Sequence, residues 1–418
     1  LFFAQFGKVF NLYTVKTRFT LLLLLFAFAG SHAQDALHFL GLPTKSDKEI
    51  TVGAKRFDVY LPWVNGKNVA VVANHTSMVG KTHLVDTLLT KQVKIKKIFC
   101  PEHGFRGDGD AGESIKNEKD KKTGLPVISL YGDHKKPTAK DLEGIDVVIF
   151  DLQDVGVRFF TYISTMTYVM EACAEQKKTC IILDRPNPNG HYVDGPVLES
   201  KYKSFVGMHP VPIVHGMTVA EYARMVNGEG WLKNGVRCDL KYVSCEGYTH
   251  SDLYQLPVKP SPNLSTMAAV YLYPSVCLFE GTVISVGRGT DKPFEVIGHP
   301  KLKNGDYTFT PHSIPGASKN PPYKDSLCQG HELTSFANNF IRSYRKIFLY
   351  WVQGCYADFP DKTKYFNSYF TLLAGTEELQ KQIVAGKTED EIRKSWEPGL
   401  AKFREIRTRY LIYPDYSK

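Results

Sequence analysis

The chain has 418 residues, 43% hydrophobic and 23% charged, with a formal net charge of +9 at pH 7. That length favours two domains over one core, and the ordinary composition excludes a disordered or low-complexity chain. The basic excess suits an anionic polymer, but no nucleic-acid-binding motif accompanies it, so nucleic acid is not an expected partner.

Lys16 and Arg18 precede an apolar run at 21–29 that closes in Ser31-His32-Ala33. A basic start, a short apolar stretch and a small-x-small site predict a secretory signal peptide over residues 1–33. The run is too short to span a bilayer comfortably. The first cysteine is Cys100, so no lipid anchor is expected. The mature protein is therefore expected to be exported, periplasmic or secreted, with no stable membrane anchor. Eight cysteines permit disulfides in that setting without specifying any pairing.

An apolar run at 69–73 predicts the first strand, ending in Asn74-His75. Residues 82–91 predict a helix with Leu84, Leu88 and Leu89 on one face. The stretch 93–107, VKIKKIFCPEHGFRG, predicts a buried strand that breaks at Pro101 into Glu102, His103, two glycines and Arg106. A glycine- and charge-rich excursion at 113–122 reads as a mobile loop near a site. Apolar runs at 125–130, 146–150 and 179–183 end in Tyr131, in DLQDVGVR (151–158) and in DRPNPNG (184–190). Between the last two, Ile163, Met166, Met170 and Cys173 fall at helical spacing. Continuous apolar runs alternating with helices predict an α/β fold, a Rossmann-like doubly wound parallel sheet covered on both faces.

From residue 215 the pattern changes. Thr218 and Glu221 form a capping box opening a helix, and 238–243 reads as a strand. The proline-rich stretch 256–263 reads as a linker, and 280–290 sets polar groups beside short strands. Helices are expected from Thr376 and Thr388, then a final amphipathic one carrying Leu400, Phe403 and Tyr410. The predicted organisation is a Rossmann-like catalytic domain at 34–258 and a smaller α/β or α+β domain at 259–418 that closes the cleft.

Ligands of an open α/β sheet sit beyond the carboxyl ends of its strands. There Asn74/His75, Glu102/His103, Tyr131, Asp151/Asp154 and Asp184/Arg185 project toward one rim. Glu102, walled by Phe105, can hold a proton and donate it; alternatively it caps its own turn or pairs with Arg106. His103 is a hydrogen-bonding group, and Arg106 can clamp a substrate carboxylate. Asp151 and Asp154 are the other carboxyl candidates, and their spacing lets one of them point at the site. Arg158 and Tyr162, at a helix start, suit an anion. The DRPN turn reads as a closed network. Tyr131 and His215 can bond a sugar hydroxyl or sit satisfied in the core. No GxGxxG follows the first strand, and no GxxxxGK[ST], GxSxG or HExxH motif occurs, so no cofactor and no metal is expected.

The ordered set NH (74–75), PEHGFRG (101–107), SLYG (129–132), DLQDVGVRFFTY (151–162), DRPNPNG (184–190) and VGRGT (286–290) resembles the NamZ-type exo-β-N-acetylmuramidases. The resemblance runs from about Val69 to Tyr413. It implies a Rossmann-like N-terminal domain, a smaller C-terminal domain and a site between them. It also implies release of N-acetylmuramic acid from non-reducing ends of peptidoglycan fragments, oligosaccharides or muropeptides. The family's glutamate then falls on Glu102 and a second site residue on Tyr131. Muramic acid carries a lactyl carboxylate, for which Arg106, Arg158 and Arg288 are the available arginines. The second catalytic group is Asp154, Tyr131 or the substrate's own acetamido group. Two rivals stand beside this reading. One is a metal-dependent hydrolase using His75, His103, Asp151 and Asp154; the other is a non-catalytic cell-wall glycan-binding protein.

Overall fold

The structure, a computed structural model, describes residues 49–106 and 118–416. The expected signal peptide and residues 113–117 of the expected mobile loop lie outside the described residues.

A seven-stranded sheet organises the first half. It contains β1 (Asn68–Ala73), β4 (Lys94–Cys100), β5 (Glu118–Lys119), β6 (Pro126–Ser129), β7 (Val147–Asp151), β8 (Thr179–Leu183) and β9 (Asp239–Val243). The spatial order is β5-β6-β4-β1-β7-β8-β9, and only the β5–β6 pair is antiparallel. Counting the six parallel strands along the chain gives 3-2-1-4-5-6, the Rossmann order, which reverses at β1. The expected fold class is what forms. A two-stranded hairpin, β2 (Met78–Val79) with β3 (Thr82–His83), follows β1.

The pleat explains the continuous apolar runs. Val69, Val71, Ile149 and Ile181 face one side with α1 (Phe57–Val64) and α2 (Leu84–Thr90). Ala70, Val72, Phe150 and Ile182 face the other, against α3 (Tyr162–Glu175) and α4 (Val219–Gly228). Both faces are covered, so every second position has to be apolar on each side. The Thr218–Glu221 capping box opens α4 as expected.

The second half is α+β. Its sheet is antiparallel, in the order β10 (Val296–His299), β12 (Cys328–Glu332), β11 (Tyr307–Phe309). Its helices include α5 (Met267–Val276), α6 (Tyr350–Asp358), α7 (Tyr369–Ala374), α8 (Glu378–Val384) and α9 (Glu389–Thr408). One apolar core joins the two halves, running from Val148 and Met166 to Phe279, Phe370 and Phe403.

Three expectations change. The late amphipathic stretch is not a separate helix: α9 runs 20 residues from its Thr388/Glu391 capping box straight through Pro398, and Tyr410 lies past its end. Residues 277–281 form a 3₁₀ turn, and the chain beyond pairs with β10 through an isolated Ser285–Gly298 bridge, so residues 282–290 form no strand of their own. The 256–263 stretch is not a free linker. It folds over the strand ends, where Lys259 and Pro260 carbonyls accept from His75 and Tyr162. All eight cysteines are buried free thiols. Among the described residues no helix is long and apolar enough to cross a membrane.

Candidate active site

β4 delivers Glu102. Its last residues are fully buried, and Pro101 then starts a tight turn closed by Gly104 N donating to Pro101 O (3.2 Å). His103 holds φ +70°, a left-handed conformation costly for a side chain with a Cβ, and Gly104 follows at +75°. This reversal stops the strand abruptly and leaves Glu102 half-buried at its tip.

Glu102 lines a cavity of ≈ 190 Å³ together with residues from both halves of the chain. Tyr131, at the end of β6, hydrogen-bonds to Glu102. Burial, then the Glu102 charge and that bond, push its phenol up to about 12. Phe159, Phe160 and Tyr162 form a wall at the start of α3, Ser261 and Asn263 come from the folded-over stretch, and Glu280, Arg288 and Tyr369 come from the second half. His103 reaches Ser261 Oγ at 3.4 Å. Arg288 sits between Gly287 (φ +75°) and Gly289 (φ +83°), and a Cβ at Gly287 would collide with Val296. That double left-handed turn is what the VGRGT run encodes.

The other predicted residues lie elsewhere, each for a visible reason. Asp151 is fully buried in a bidentate pair with Arg185: Nε to Oδ1 is 2.6 Å and Nη2 to Oδ2 is 2.9 Å. Asp154 lies beneath the site. It accepts from Gly156 N at 2.6 Å, and burial raises its carboxyl to about 7. Neither is among the cavity-lining residues. Asn74 donates to the Tyr162 hydroxyl at 2.8 Å and accepts from Thr76, so it supports the wall from below. His75 bonds Lys259 O at 2.9 Å, and burial lowers its imidazole pKa. Asp184 accepts from Thr218, Ala220 and Tyr413, the closed network expected of the DRPN turn. His215 is a core group stacked edge-on against Tyr222.

Two of the three candidate arginines are also spoken for. Arg106 does not pair with Glu102. It forks onto Asp120 at 3.1 and 2.9 Å and reaches Asp86 at 3.4 Å. Arg158 is fully buried in a cage of backbone carbonyls, those of Pro196, Val211, Leu373 and Ala374. It ties the α3 wall to α7, which carries Tyr369, and is closed to a ligand. Arg288 alone of the three lines the cavity. Phe105 likewise does not wall Glu102; it packs edge-on against His83 in the core on the other face of the sheet.

Sequence reasoning missed Glu280, Tyr369, Ser261 and Asn263 as site residues. Glu280 stands eight residues before an arginine of opposite charge, the one signal it offered; Tyr369 offered none. The metal constellation does not assemble. Among the described residues no three His, Cys, Asp or Glu side chains are grouped to hold an ion. A second hollow, of ≈ 260 Å³ around Arg224, Arg237, Tyr242 and Tyr410, is lined by no carboxylate and no histidine.

Residues 69–268 match the model of the N-terminal part of exo-β-N-acetylmuramidase NamZ, and 271–413 that of its C-terminal part. The chain is 38% identical over 375 residues to the peptidoglycan β-N-acetylmuramidase NamZ of Bacillus subtilis (strain 168), covering 85% of this chain and 89% of that one. It is similar to the crystal structures of two DUF1343 family proteins of Bacteroides fragilis NCTC 9343. One has a TM-score of 0.82 at 46% identity, covering 88% of this chain and 100% of the other. The second has a TM-score of 0.74 at 29% identity, covering 87% and 99%. With both halves matched and a relative this similar over most of its length, the chain belongs to the exo-β-N-acetylmuramidase NamZ family.

Proposed function

We propose that Glu102 is the proton donor of a glycosidase that releases N-acetylmuramic acid from the non-reducing ends of peptidoglycan fragments. One observation carries the assignment of Glu102: this carboxyl lines an aromatic-walled cavity beside the Tyr131 phenol, whereas Asp151 and Asp154 are committed to buried contacts. A glycosidic bond breaks when its leaving oxygen receives a proton, which a carboxyl group within hydrogen-bond reach can supply. Tyr131 fixes the orientation of Glu102. Arg288 receives the lactyl carboxylate that distinguishes muramic acid from glucosamine. The rings of Phe159, Phe160 and Tyr273 exclude water from the reacting centre.

Incubation with a chromogenic β-N-acetylmuramide and with the matching N-acetylglucosaminide tests the reading. Release from the first alone is expected. Glu102→Gln should abolish that release and retain binding of N-acetylmuramic acid; turnover surviving in this variant removes Glu102 from the mechanism.

Export, with residues 1–33 as a cleaved signal peptide and a periplasmic or secreted product, is part of the same proposal. The basic-apolar-small pattern at the N-terminus supports it, and so does a substrate found in the cell wall. N-terminal sequencing of the protein recovered from its native compartment is expected to begin at Gln34. Recovery of the uncut chain from the cytoplasm would refute it.

A further inference from the structure

The cavity holds an acidic side chain that the chemistry above does not use. Glu280 is half-buried at the 3₁₀ turn Cys277–Gly281, and its Oε1 accepts from Arg288 Nε at 2.7 Å. Cys277 Sγ lies 3.4 Å from the other oxygen. The Arg288 guanidinium also sits 5.0 Å from the centroid of the Phe294 ring. Among the described residues Glu280 is the hydrogen-bond partner of Arg288, and it uses Nε. Among the described residues no hydrogen bond engages its two terminal nitrogens.

Resting on the reading that the substrate is a muramyl glycan, we infer that Glu280 is a positioning residue. Together with Phe294 it holds Arg288 so that the two-nitrogen edge meets the lactyl carboxylate, and so it sets the preference for muramyl ends. A guanidinium is a planar fork whose edges can serve two carboxylates at once, which an ammonium cannot do with the same directionality. An arginine ordered before the ligand arrives loses less entropy on binding than one that must be immobilised by it. An N-acetylglucosaminyl end has no lactyl group and gains nothing from this arrangement.

Steady-state kinetics of Glu280→Ala and Glu280→Gln on the chromogenic muramide test the inference, with Arg288→Ala for reference and inhibition by free N-acetylmuramic acid as a second readout. Glu280→Ala should raise KM for the muramide and Ki for N-acetylmuramic acid by about tenfold, as Arg288→Ala does, with the loss in KM rather than kcat. Glu280→Gln keeps an oxygen that accepts from Nε and should restore both constants to within about threefold of wild type. Glu280→Gln with normal KM and kcat reduced by about a hundredfold or more would overturn the inference, because Glu280 would then act in bond breaking. Unaltered KM and Ki in Glu280→Ala would overturn it as well. Wild-type protein that cleaves no muramide defeats the parent reading; active wild type with indifferent Glu280 variants defeats this inference alone.

Discussion

Two sets of polar strand ends lie on the same rim and do opposite things. At the ends of β7 and β8, Asp151 is locked by Arg185, Asp184 is held by Thr218 and Tyr413, and Asp154 is sealed over. At the ends of β4 and β6, Glu102 is half-buried with a phenol as its neighbour and a cavity in front of it. In one set the carboxyls are tied up inside the fold; in the other a carboxyl faces a cavity. An acidic residue after a strand is therefore no guide to catalysis until its partners are known.

The comparison breaks most sharply at Glu102. Glu102→Gln should lower kcat/KM on the muramide by about 10³-fold or more while the melting temperature stays near that of wild type. Asp151→Ala should do the reverse. Leaving Arg185 buried without its partner costs about 3–5 kcal/mol, to be read from denaturant unfolding. If the folded fraction of that variant has lost its turnover, Asp151 belongs to the site after all.

Asp154 sharpens the contrast through pH. Its carboxyl is raised to about 7 in the fold, against 3.8 as the ordinary value. The folded state thus binds the extra proton between those limits, and this group's contribution to stability falls as pH rises from about 4 to 7. Asp154→Asn removes that penalty, so its stability relative to wild type should improve from pH 5 to pH 8, by an amount on the order of a few kcal/mol. A flat difference across that range contradicts the buried-acid account. Tyr131→Phe should have the smallest effect. Loss of one hydrogen bond to Glu102 is expected to cost about tenfold in kcat, with KM little changed.

Much of this was readable in the sequence. Runs such as VAVVA and VVIFD are apolar at every position because both faces of the sheet are covered, and that local pattern alone predicts the parallel sheet. The break after Cys100 placed Glu102, and the SLYG run placed Tyr131. The Thr218 and Thr388 boxes marked two helix starts, since capping depends on residues three apart. Arg106 and Arg158 misled, because an arginine's role depends on partners distant in sequence. Arg158 is held by carbonyls as far along the chain as Leu373 and Ala374.

The primary structure determined the sheet, its strand order of appearance and the turn that presents the acid, all consequences of short-range periodicity and backbone preference. Only tertiary packing decided which polar groups were consumed by one another. It also brought Glu280, Arg288 and Tyr369 across to face Glu102, because the C-terminal half folds back over one face of the sheet and shares its core.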